Sequence, residues 1–293
     1  MTDANLAYLY LLLLLFPLVL LVVLYLIARP RPVRVPIKNR HVFITGGSSG
    51  IGLALAHRAA SEGARVSILA RSIAKLEAAK QEILLATGID VAVFAADVRD
   101  YDALSRAVEE AGPIDVLVVN QGVFVPQELE RQGLDEVKFM LDVNLMGAFN
   151  MVKAALPAIK LQRRERGPGS IALMSSQAET KIRPQLTSII AASSGAMKAD
   201  EVAKRALNGI KSGSFIIPCN FEGLLLSVAT AGLSPQRSFL MAFVEIVAAG
   251  ITRFAALCFQ WNWYGSIEKW HAKQHFGGGF KVIESLLGDN QRN

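Results

Sequence analysis

The sequence predicts an α/β fold, a doubly wound parallel sheet with an N-terminal transmembrane helix and apolar, membrane-associated segments after it. Three observations lead to this prediction. Apolar runs of strand length alternate with helical patterns, which is typical of a parallel sheet buried on both faces. A glycine-rich turn joins the first such run to the first helix. Hydrophobic residues make up 52% of the 293 residues, and the mean hydropathy of +0.35 is high for a soluble protein.

The first element is an apolar stretch from Leu6 to Ala28 without any charge. About 20 helical residues cross a bilayer core, so this stretch is long enough. A cleaved signal peptide would have a basic start, whereas Asp3 is the charge found there. Basic residues follow instead, at Arg29, Arg31, Arg34, Lys38 and Arg40. We therefore expect an uncleaved anchor over residues 1–28, a stiff Pro-rich linker over residues 29–40, and a cytosolic domain beyond them.

The first strand and helix, His41–Ile44 and Leu53–Ala60, enclose a predicted phosphate cradle. Glycines permit backbone angles that a Cβ would forbid, and they let a pyrophosphate approach the main chain. The following helix directs its unpaired N–H groups and its positive end toward that anion. The residues predicted to bind the cofactor here are Gly46, Ser48, Ser49, Gly50, Ile51 and Gly52.

Four further strands are predicted at Arg65–Ala70, Asp90–Ala96, Asp115–Val119 and Gly169–Ser176. The helices between them are predicted at Ile73–Leu85, Tyr101–Ala111 and Asp135–Leu161. Ligands of such sheets bind beyond the carboxyl ends of the strands. The polar residues expected at those ends are Arg71, Asp97, Asn120 and Ser176.

The residues after the second strand predict the type of nucleotide. An NAD site commonly has an acidic residue there for the ribose 2′-hydroxyl, but this chain has no acid before Glu77. Arg71, helped by Lys75, can instead pair with a 2′-phosphate through charge-assisted hydrogen bonds. NADPH is therefore the predicted cofactor, with a solvated arginine at a helix start as the alternative.

Composition excludes other classes of function. Cys219 and Cys258 have neither disulfide-framework nor metal-ligand spacing, so no metal site is predicted. The net charge of +6 is concentrated beside the first apolar segment, as on a membrane flank. Basic residues do not alternate with aromatic ones, so no nucleic-acid partner is expected.

These features together resemble the short-chain dehydrogenase/reductase family over roughly residues 40–178. The matching motifs are Thr45-Gly46-x-x-x-Gly50-x-Gly52, Asp97-Val98, Asn120-Gln121-Gly122 in place of the commoner Asn-Ala-Gly, Asn144, and Ser175-Ser176. The resemblance implies a Rossmann-like NADP-binding domain over residues 41–178, with Val98 added to the cofactor site. It also implies that Ser176 polarises a substrate carbonyl and that Asn144 supports a proton relay.

The anchor, the sequence Ser175–Ala178 and the apolar C-terminal region resemble the plant-like 3-dehydrosphinganine reductases of this family. That resemblance implies NADPH-dependent reduction of the C3 ketone of a long-chain sphingoid ketone, in sphingolipid synthesis. It places the protein in the endoplasmic reticulum membrane, in contact with membrane lipid, with its catalytic domain facing the cytosol. A different membrane-bound short-chain reductase, acting on steroids or retinoids, is the alternative.

The chain departs from the family at the Tyr-x-x-x-Lys motif, in which the tyrosine donates a proton and the lysine lowers its pKa. The corresponding positions hold Ile189 and Ser193, and no Tyr-x-x-x-Lys occurs anywhere in the chain. Glu179–Pro184 leads directly to Thr187–Ala192, which resembles a later part of the reductases. A segment with the catalytic helix and a sixth strand is therefore predicted to be missing. We expect a catalytically impaired isoform of low stability, or a non-catalytic nucleotide-binding protein; the chain would form homo-oligomers or pair with an intact homologue.

The C-terminal part is predicted to hold a residual reductase segment over residues 179–218, with a helix from Asp200, and a membrane-associated region over residues 219–264. Phe221–Leu233 is too short to span a bilayer comfortably. Phe239–Phe259 is long enough but carries two charges, each of which costs about 2.5–3.5 kcal/mol at a bilayer centre. A re-entrant or interfacial hairpin and a second span therefore both remain open. Residues 265–293 are expected to form a tail.

Overall fold

The computed structural model describes residues 3–27, 33–125, 127, 129–175, 197–232, 234–236 and 238–254, with residues 257–258, 261, 264–265 and 268–269. Five strands form one sheet in the order β3-β2-β1-β4-β5, and all four neighbouring pairs are parallel. The strands are β1 (His41–Thr45), β2 (Arg65–Ala70), β3 (Ala92–Ala95), β4 (Val116–Val119) and β5 (Ser170–Leu173). The predicted parallel α/β sheet is thereby confirmed.

The described helices are α1 (Asp3–Ile27), α2 (Gly50–Ser61), α3 (Ile73–Thr87), α4 (Tyr101–Ala111), α5 (Leu134–Leu141), α6 (Gly147–Arg166), α7 (Ala199–Lys211), α8 (Phe221–Ala229) and α9 (residues 239–254). A π-helical turn, Asp142–Met146, joins α5 to α6. The long helical stretch predicted over Asp135–Leu161 is thereby confirmed as a continuous helical run, but the run ends later, at Arg166, and contains this π-helical turn.

The core has two layers, one on each face of the sheet. Neighbouring residues of β1 point to opposite faces, so that Phe43 lies in one layer and Ile44 in the other. Ile44 packs in the layer that includes residues of α2, α3 and α7, whereas Phe43 packs in the layer covered by α4 and α6. Every residue of β1 and β4 is buried, as their continuous apolar sequences predict.

Helix α7 joins the same α/β unit although residues 176–196, which precede it, lie outside the described part. Ala203 and Leu207 are buried in the layer that also contains residues of α2. Ion pairs Arg58–Asp200 and Lys211–Glu62 link the two helices. At least this part of the segment predicted over residues 179–218 therefore packs into the core of the α/β unit.

Strand β5 is the last strand of the described sheet. In contrast to β4, its residues alternate between partly buried and exposed, and Leu173 is 65% exposed. The expectation that a missing sixth strand leaves apolar faces uncovered stays a prediction, because residues 176–196 are not described.

A buried polar cluster lies at the amino ends of β1 and β4. The Asp115 carboxylate accepts from Arg40 at 2.7 Å, from the His41 backbone N–H at 2.8 Å and from Arg166 at 3.2 Å. His41 Nε2 lies 2.7 Å from Ser67 Oγ, and Nδ1 lies 2.6 Å from the Pro113 carbonyl. Burial lowers the pKa of His41 to about 4. The hydrogen bond to the Pro113 carbonyl acts in the opposite direction, and the nearby Arg65 charge lowers the pKa further. The imidazole is therefore neutral at physiological pH.

Two described helical stretches, Tyr8–Ile27 and Leu134–Arg166, have the length and composition of a membrane span. The second includes α6, whose residues Met151 and Ala155 are buried in the α/β core, so it is a core helix. The first remains a candidate anchor by length and composition alone. Its Tyr25 ring meets the Phe239 ring of α9 edge-on at 5.5 Å, which brings the N-terminal helix to the C-terminal apolar region.

Candidate functional site

A cleft of about 400 Å³ lies at the carboxyl ends of β1 to β4. Four loops form its walls, and they begin where these strands end. The sequence-predicted residues that line it are Gly46, Ser48, Ser49, Gly50, Ile51, Arg71, Lys75, Asp97, Val98 and Asn120. Residues that far apart in the sequence meet here because parallel strands all end at the same edge of the sheet.

The glycine-rich turn has the backbone that its sequence requires. Gly46 and Gly50 have φ angles of +63° and +59°, a region that L side chains rarely adopt. Gly52 does not line the cleft but lies against the turn. A Cβ at Gly52 would overlap the Gly46 carbonyl oxygen and would come within 2.6 Å of Asn120 Nδ2. Only glycine therefore allows helix α2 to approach the turn this closely.

The amino end of α2 opens onto this turn. Ser49 occupies the N-cap position, but its side chain makes no capping hydrogen bond. The first-turn N–H groups of the 12-residue helix α2 therefore lack a side-chain cap, and its positive end faces the cleft. This arrangement suits a phosphate group.

Two basic residues, Arg71 and Lys75, line the cleft beyond the end of β2. Arg71 is exposed, and Ser72 caps α3 by accepting from the backbone N–H of Lys75 at 3.4 Å. Asp97, beyond β3, accepts from Arg99 Nη2 at 2.7 Å and from Arg99 Nε at 3.0 Å. These side-chain bonds hold the pKa of Asp97 below its ordinary value against the opposing effect of burial, with the Arg71 charge as a smaller contribution. Asp97 is therefore an ionised acceptor beside a cationic wall.

Hydrogen bonds join the ends of β1 and β4 at the middle of the cleft. The Asn120 backbone N–H donates to Thr45 Oγ1 at 3.0 Å, and Asn120 Nδ2 donates to the Gly46 carbonyl at 3.3 Å. The Thr45 hydroxyl in turn donates to Gln121 Oε1. Gln121 Nε2 is buried, and within the described part of the chain no atom accepts a hydrogen bond from it. The closely packed glycines and this unpaired donor fit a nicotinamide dinucleotide lying across the sheet.

Asn144 lies in the π-helical turn. Its Nδ2 donates to the Val123 carbonyl at 2.7 Å, and its Oδ1 accepts from the Val123 N–H at 2.8 Å. Both polar ends of the side chain thus hold the loop that follows β4, in which Val123 lines the cleft. Ser176, the second predicted catalytic residue, lies outside the described residues.

Two polar residues of this region, Gln121 and Arg99, were not predicted from the sequence as site residues. Gln121 belongs to the strand-end motif but received no role there. The Asp97-x-Arg99 spacing is the signal for the second, since a side chain two residues along can fold back on a carboxylate. Arg99 also lies over the Phe139 ring, 5.2 Å from its centroid, which fixes its position.

Comparison with known proteins gives consistent matches. The family model described as short chain dehydrogenase matches residues 40–204. The chain is 55% identical over 296 residues to the 3-dehydrosphinganine reductase TSC10A of Arabidopsis thaliana, covering 84% of this chain and 90% of that protein. It is 27% identical over 293 residues to the 3-dehydrosphinganine reductase of Danio rerio, covering 78% of this chain and 85% of that protein. A solved short chain dehydrogenase from Mycobacterium paratuberculosis, bound to NAD, is 29% identical with a TM-score of 0.45, over 48% of this chain and 57% of that chain.

Proposed function

We propose that this chain, which belongs to the short-chain dehydrogenase family, is a 3-dehydrosphinganine reductase of sphingolipid synthesis whose own catalysis is impaired. The observation that carries the proposal is the 55% identity to the Arabidopsis enzyme over 90% of its length. The cleft supports it, because the residues predicted to bind the cofactor line one site. The reaction would convert the C3 ketone of 3-dehydrosphinganine to the hydroxyl of dihydrosphingosine.

The chain's own residues account for cofactor binding. When bound, the reduced nicotinamide cofactor supplies a hydride to a ketone. The glycine turn and the amino end of α2 would bind its pyrophosphate. Arg71 and Lys75 would pair with a 2′-phosphate, and the lack of an acid after β2 removes the usual partner of an NAD ribose. We therefore infer that NADPH is the cofactor.

We infer that proton transfer is the step that this chain lacks. A ketone that accepts a hydride becomes an alkoxide, which needs a proton from a positioned acid. The tyrosines of the whole chain are Tyr8, Tyr10, Tyr25, Tyr101 and Tyr264, and none is followed four residues later by lysine. The alignment with the Arabidopsis enzyme supports a missing segment, because it extends over 296 residues although only 84% of this 293-residue chain takes part. Ser176 and Asn144 would retain their roles of orienting the carbonyl and supporting the relay.

The N-terminal helix supports a membrane location. Its exposed apolar side chains and the basic residues after it favour an anchor with the reductase domain in the cytosol. We infer that the endoplasmic reticulum membrane holds the chain and presents the long-chain substrate. A soluble chain after carbonate extraction of microsomes would contradict this part of the proposal.

The decisive test is expression in cells that lack endogenous 3-dehydrosphinganine reductase, followed by a microsomal assay with 3-dehydrosphinganine and NADPH. We expect little or no dihydrosphingosine from this chain. Insertion of the Arabidopsis residues that align with no residue of this chain should restore product formation. Product from the unaltered chain would mean that another residue replaces the tyrosine, and it would overturn the proposed impairment.

A second candidate function is a non-catalytic nucleotide-binding partner of an intact homologue. The observation that favours it is that the residues predicted to bind the cofactor line one cleft although the sequence has no Tyr-x-x-x-Lys. Co-expression with an intact reductase tests it: association that changes the activity of the homologue supports the partner role. Separate migration of the two chains, with unchanged activity, would exclude it.

A further inference from the structure

Gln121 lies at the point where the strand order of the sheet reverses. From β1 the chain continues outward to β2 and β3, whereas β4 and β5 lie on the other side. Dinucleotides cross such sheets at this point, with one nucleotide over each half. Arg71 and Asp97 follow β2 and β3, so the adenosine half belongs on their side. Gln121, which follows β4, is placed toward the nicotinamide mononucleotide half.

One end of the Gln121 amide is held firmly. The Thr45 hydroxyl has a single proton, and the alternative acceptor, the Val118 carbonyl, is 3.4 Å away. Gln121 Oε1 lies closer and takes this proton. Thr45 Oγ1 is itself fixed, because it accepts from the Asn120 backbone N–H at 3.0 Å. The oxygen of the amide is therefore tied to β1, which sets the direction of its nitrogen.

The other end of the amide is unpaired. Gln121 Nε2 is buried, and none of the described residues offers it an acceptor. Buried donors in native proteins are nearly always paired, and exceptions occur where a ligand completes the bonding. The Gln121 backbone adjoins Gly46, where an added Cβ would lie 3.1 Å from Gln121 Cα. Gln121 and Gly46 both line the cleft, so a ligand that lies over the turn passes beside Gln121.

We propose that Gln121 is a cofactor-binding residue, whose amide pivots about its Oε1–Thr45 hydrogen bond so that Nε2 donates to a phosphate or ribose oxygen of the nicotinamide mononucleotide half. This inference rests on the proposed function, since it requires a bound dinucleotide. It assigns a role to the residue that distinguishes this Asn-Gln-Gly sequence from Asn-Ala-Gly. The donor then exchanges an unpaired buried state for a hydrogen bond to an oxygen.

Two variants of the full-length chain in detergent separate binding from support of the fold. Gln121→Met keeps the length of the side chain and removes both polar atoms. Gln121→Glu keeps an oxygen that accepts from Thr45 but replaces the donor with a negative charge. For each, the dissociation constants of NADPH and of adenosine 2′,5′-bisphosphate are measured, together with the melting temperature without ligand. The bisphosphate is the control ligand because it lacks the nicotinamide mononucleotide half.

For Gln121→Met we expect NADPH to bind about ten-fold more weakly, as for the loss of one hydrogen bond to an anionic ligand. Binding of adenosine 2′,5′-bisphosphate should stay within about two-fold, since it lacks the nicotinamide mononucleotide half that Gln121 would contact. The melting temperature without ligand should be equal or higher, because an unpaired buried donor is removed. Gln121→Glu should weaken NADPH binding further, through repulsion of the phosphates.

Unchanged NADPH binding in both variants would overturn the inference. Equal weakening of NADPH and of the bisphosphate, with a lower melting temperature, would also overturn it, because Gln121 would then only support the turn. These outcomes presuppose that the unsubstituted chain binds NADPH. A failure of the unsubstituted chain to bind either ligand would instead refute the proposed function, and with it this inference.

Discussion

Gly52→Ala tests the cleft geometry, because we expect it to destabilise the chain, whereas an alanine in place of a helical glycine usually stabilises a protein. An alanine in place of a glycine inside a helix normally stabilises it by about 0.5–1 kcal/mol. At Gly52, however, the new methyl group would overlap the Gly46 carbonyl oxygen and come within 2.9 Å of the Gly46 carbonyl carbon and 2.6 Å of Asn120 Nδ2. Two of these atoms are backbone and cannot rotate away.

The magnitude follows from two effects. Overpacking of this kind costs about 1–3 kcal/mol. Displacement of Asn120 also breaks its 3.3 Å hydrogen bond to the Gly46 carbonyl, a loss of about 0.5–1.5 kcal/mol. After subtraction of the helical gain, we expect a net loss of about 1–3 kcal/mol in the free energy of unfolding. Because the turn is part of the cleft, NADPH binding should weaken about ten-fold or more as well.

The assay is denaturant unfolding of the full chain in detergent, together with titration of NADPH fluorescence. Gly250→Ala is the matched control, since Gly250 lies in helix α9 and no atom is within 4 Å of an added Cβ. This control should be neutral or slightly stabilising and should leave NADPH binding unchanged. A Gly52→Ala chain that is as stable as the parent and binds NADPH equally well would refute the reasoning about this close approach.

Three further predictions concern charge. Arg71→Ser should weaken NADPH binding about ten- to a hundred-fold and leave NADH binding unchanged, because a partner of the 2′-phosphate is lost; Arg106→Ser, on the exposed face of α4, is the control, and equal effects on both cofactors would count against the assignment. Above pH 6.5 His41 is neutral in both the folded and the unfolded chain. Between pH 6.5 and about 4 the His41 ring binds a proton in the unfolded chain but stays neutral in the folded chain. Stability should therefore fall by about 3 kcal/mol between these pH values, and His41→Gln should flatten the pH profile of unfolding; an unchanged profile would contradict the buried neutral ring. Asp115→Asn should destabilise the chain by about 3–5 kcal/mol because it leaves the buried Arg40 guanidinium without its anion, whereas Asp90→Asn at an exposed ion pair should cost under about 1 kcal/mol; similar losses in denaturant titrations would contradict the burial argument.

The elements best predicted from the sequence are those with strong local signals at both ends. Helix α4 begins at Tyr101 and ends at Ala111, as predicted, because Asp100 caps its amino end by accepting from the Ala103 N–H and Gly112 follows its last residue. Strand β3 was predicted too long. In the described sheet it is an edge strand with β2 as its one partner, so its length depends on the register of that pairing. Asp90, before the ladder, pairs with Lys80 instead.

Features of the cleft that depend on contacts between distant residues could not be predicted. The strand-end rule located Arg71, Asp97 and Asn120, because parallel topology alone brings such residues together. The π-helical turn at Asn144 has no sequence signal, since its extra residue is held by hydrogen bonds to the loop after β4. The buried nitrogen of Gln121 likewise follows from its bond to Thr45, 76 residues away.

The central claim is that this chain retains the cofactor site of a reductase without its proton-donating pair. The most direct measurement is titration of the purified full chain with NADPH, followed by addition of 3-dehydrosphinganine to the same sample and quantification of dihydrosphingosine. We expect saturable NADPH binding without product formation. Product formation, or the absence of NADPH binding, would contradict it.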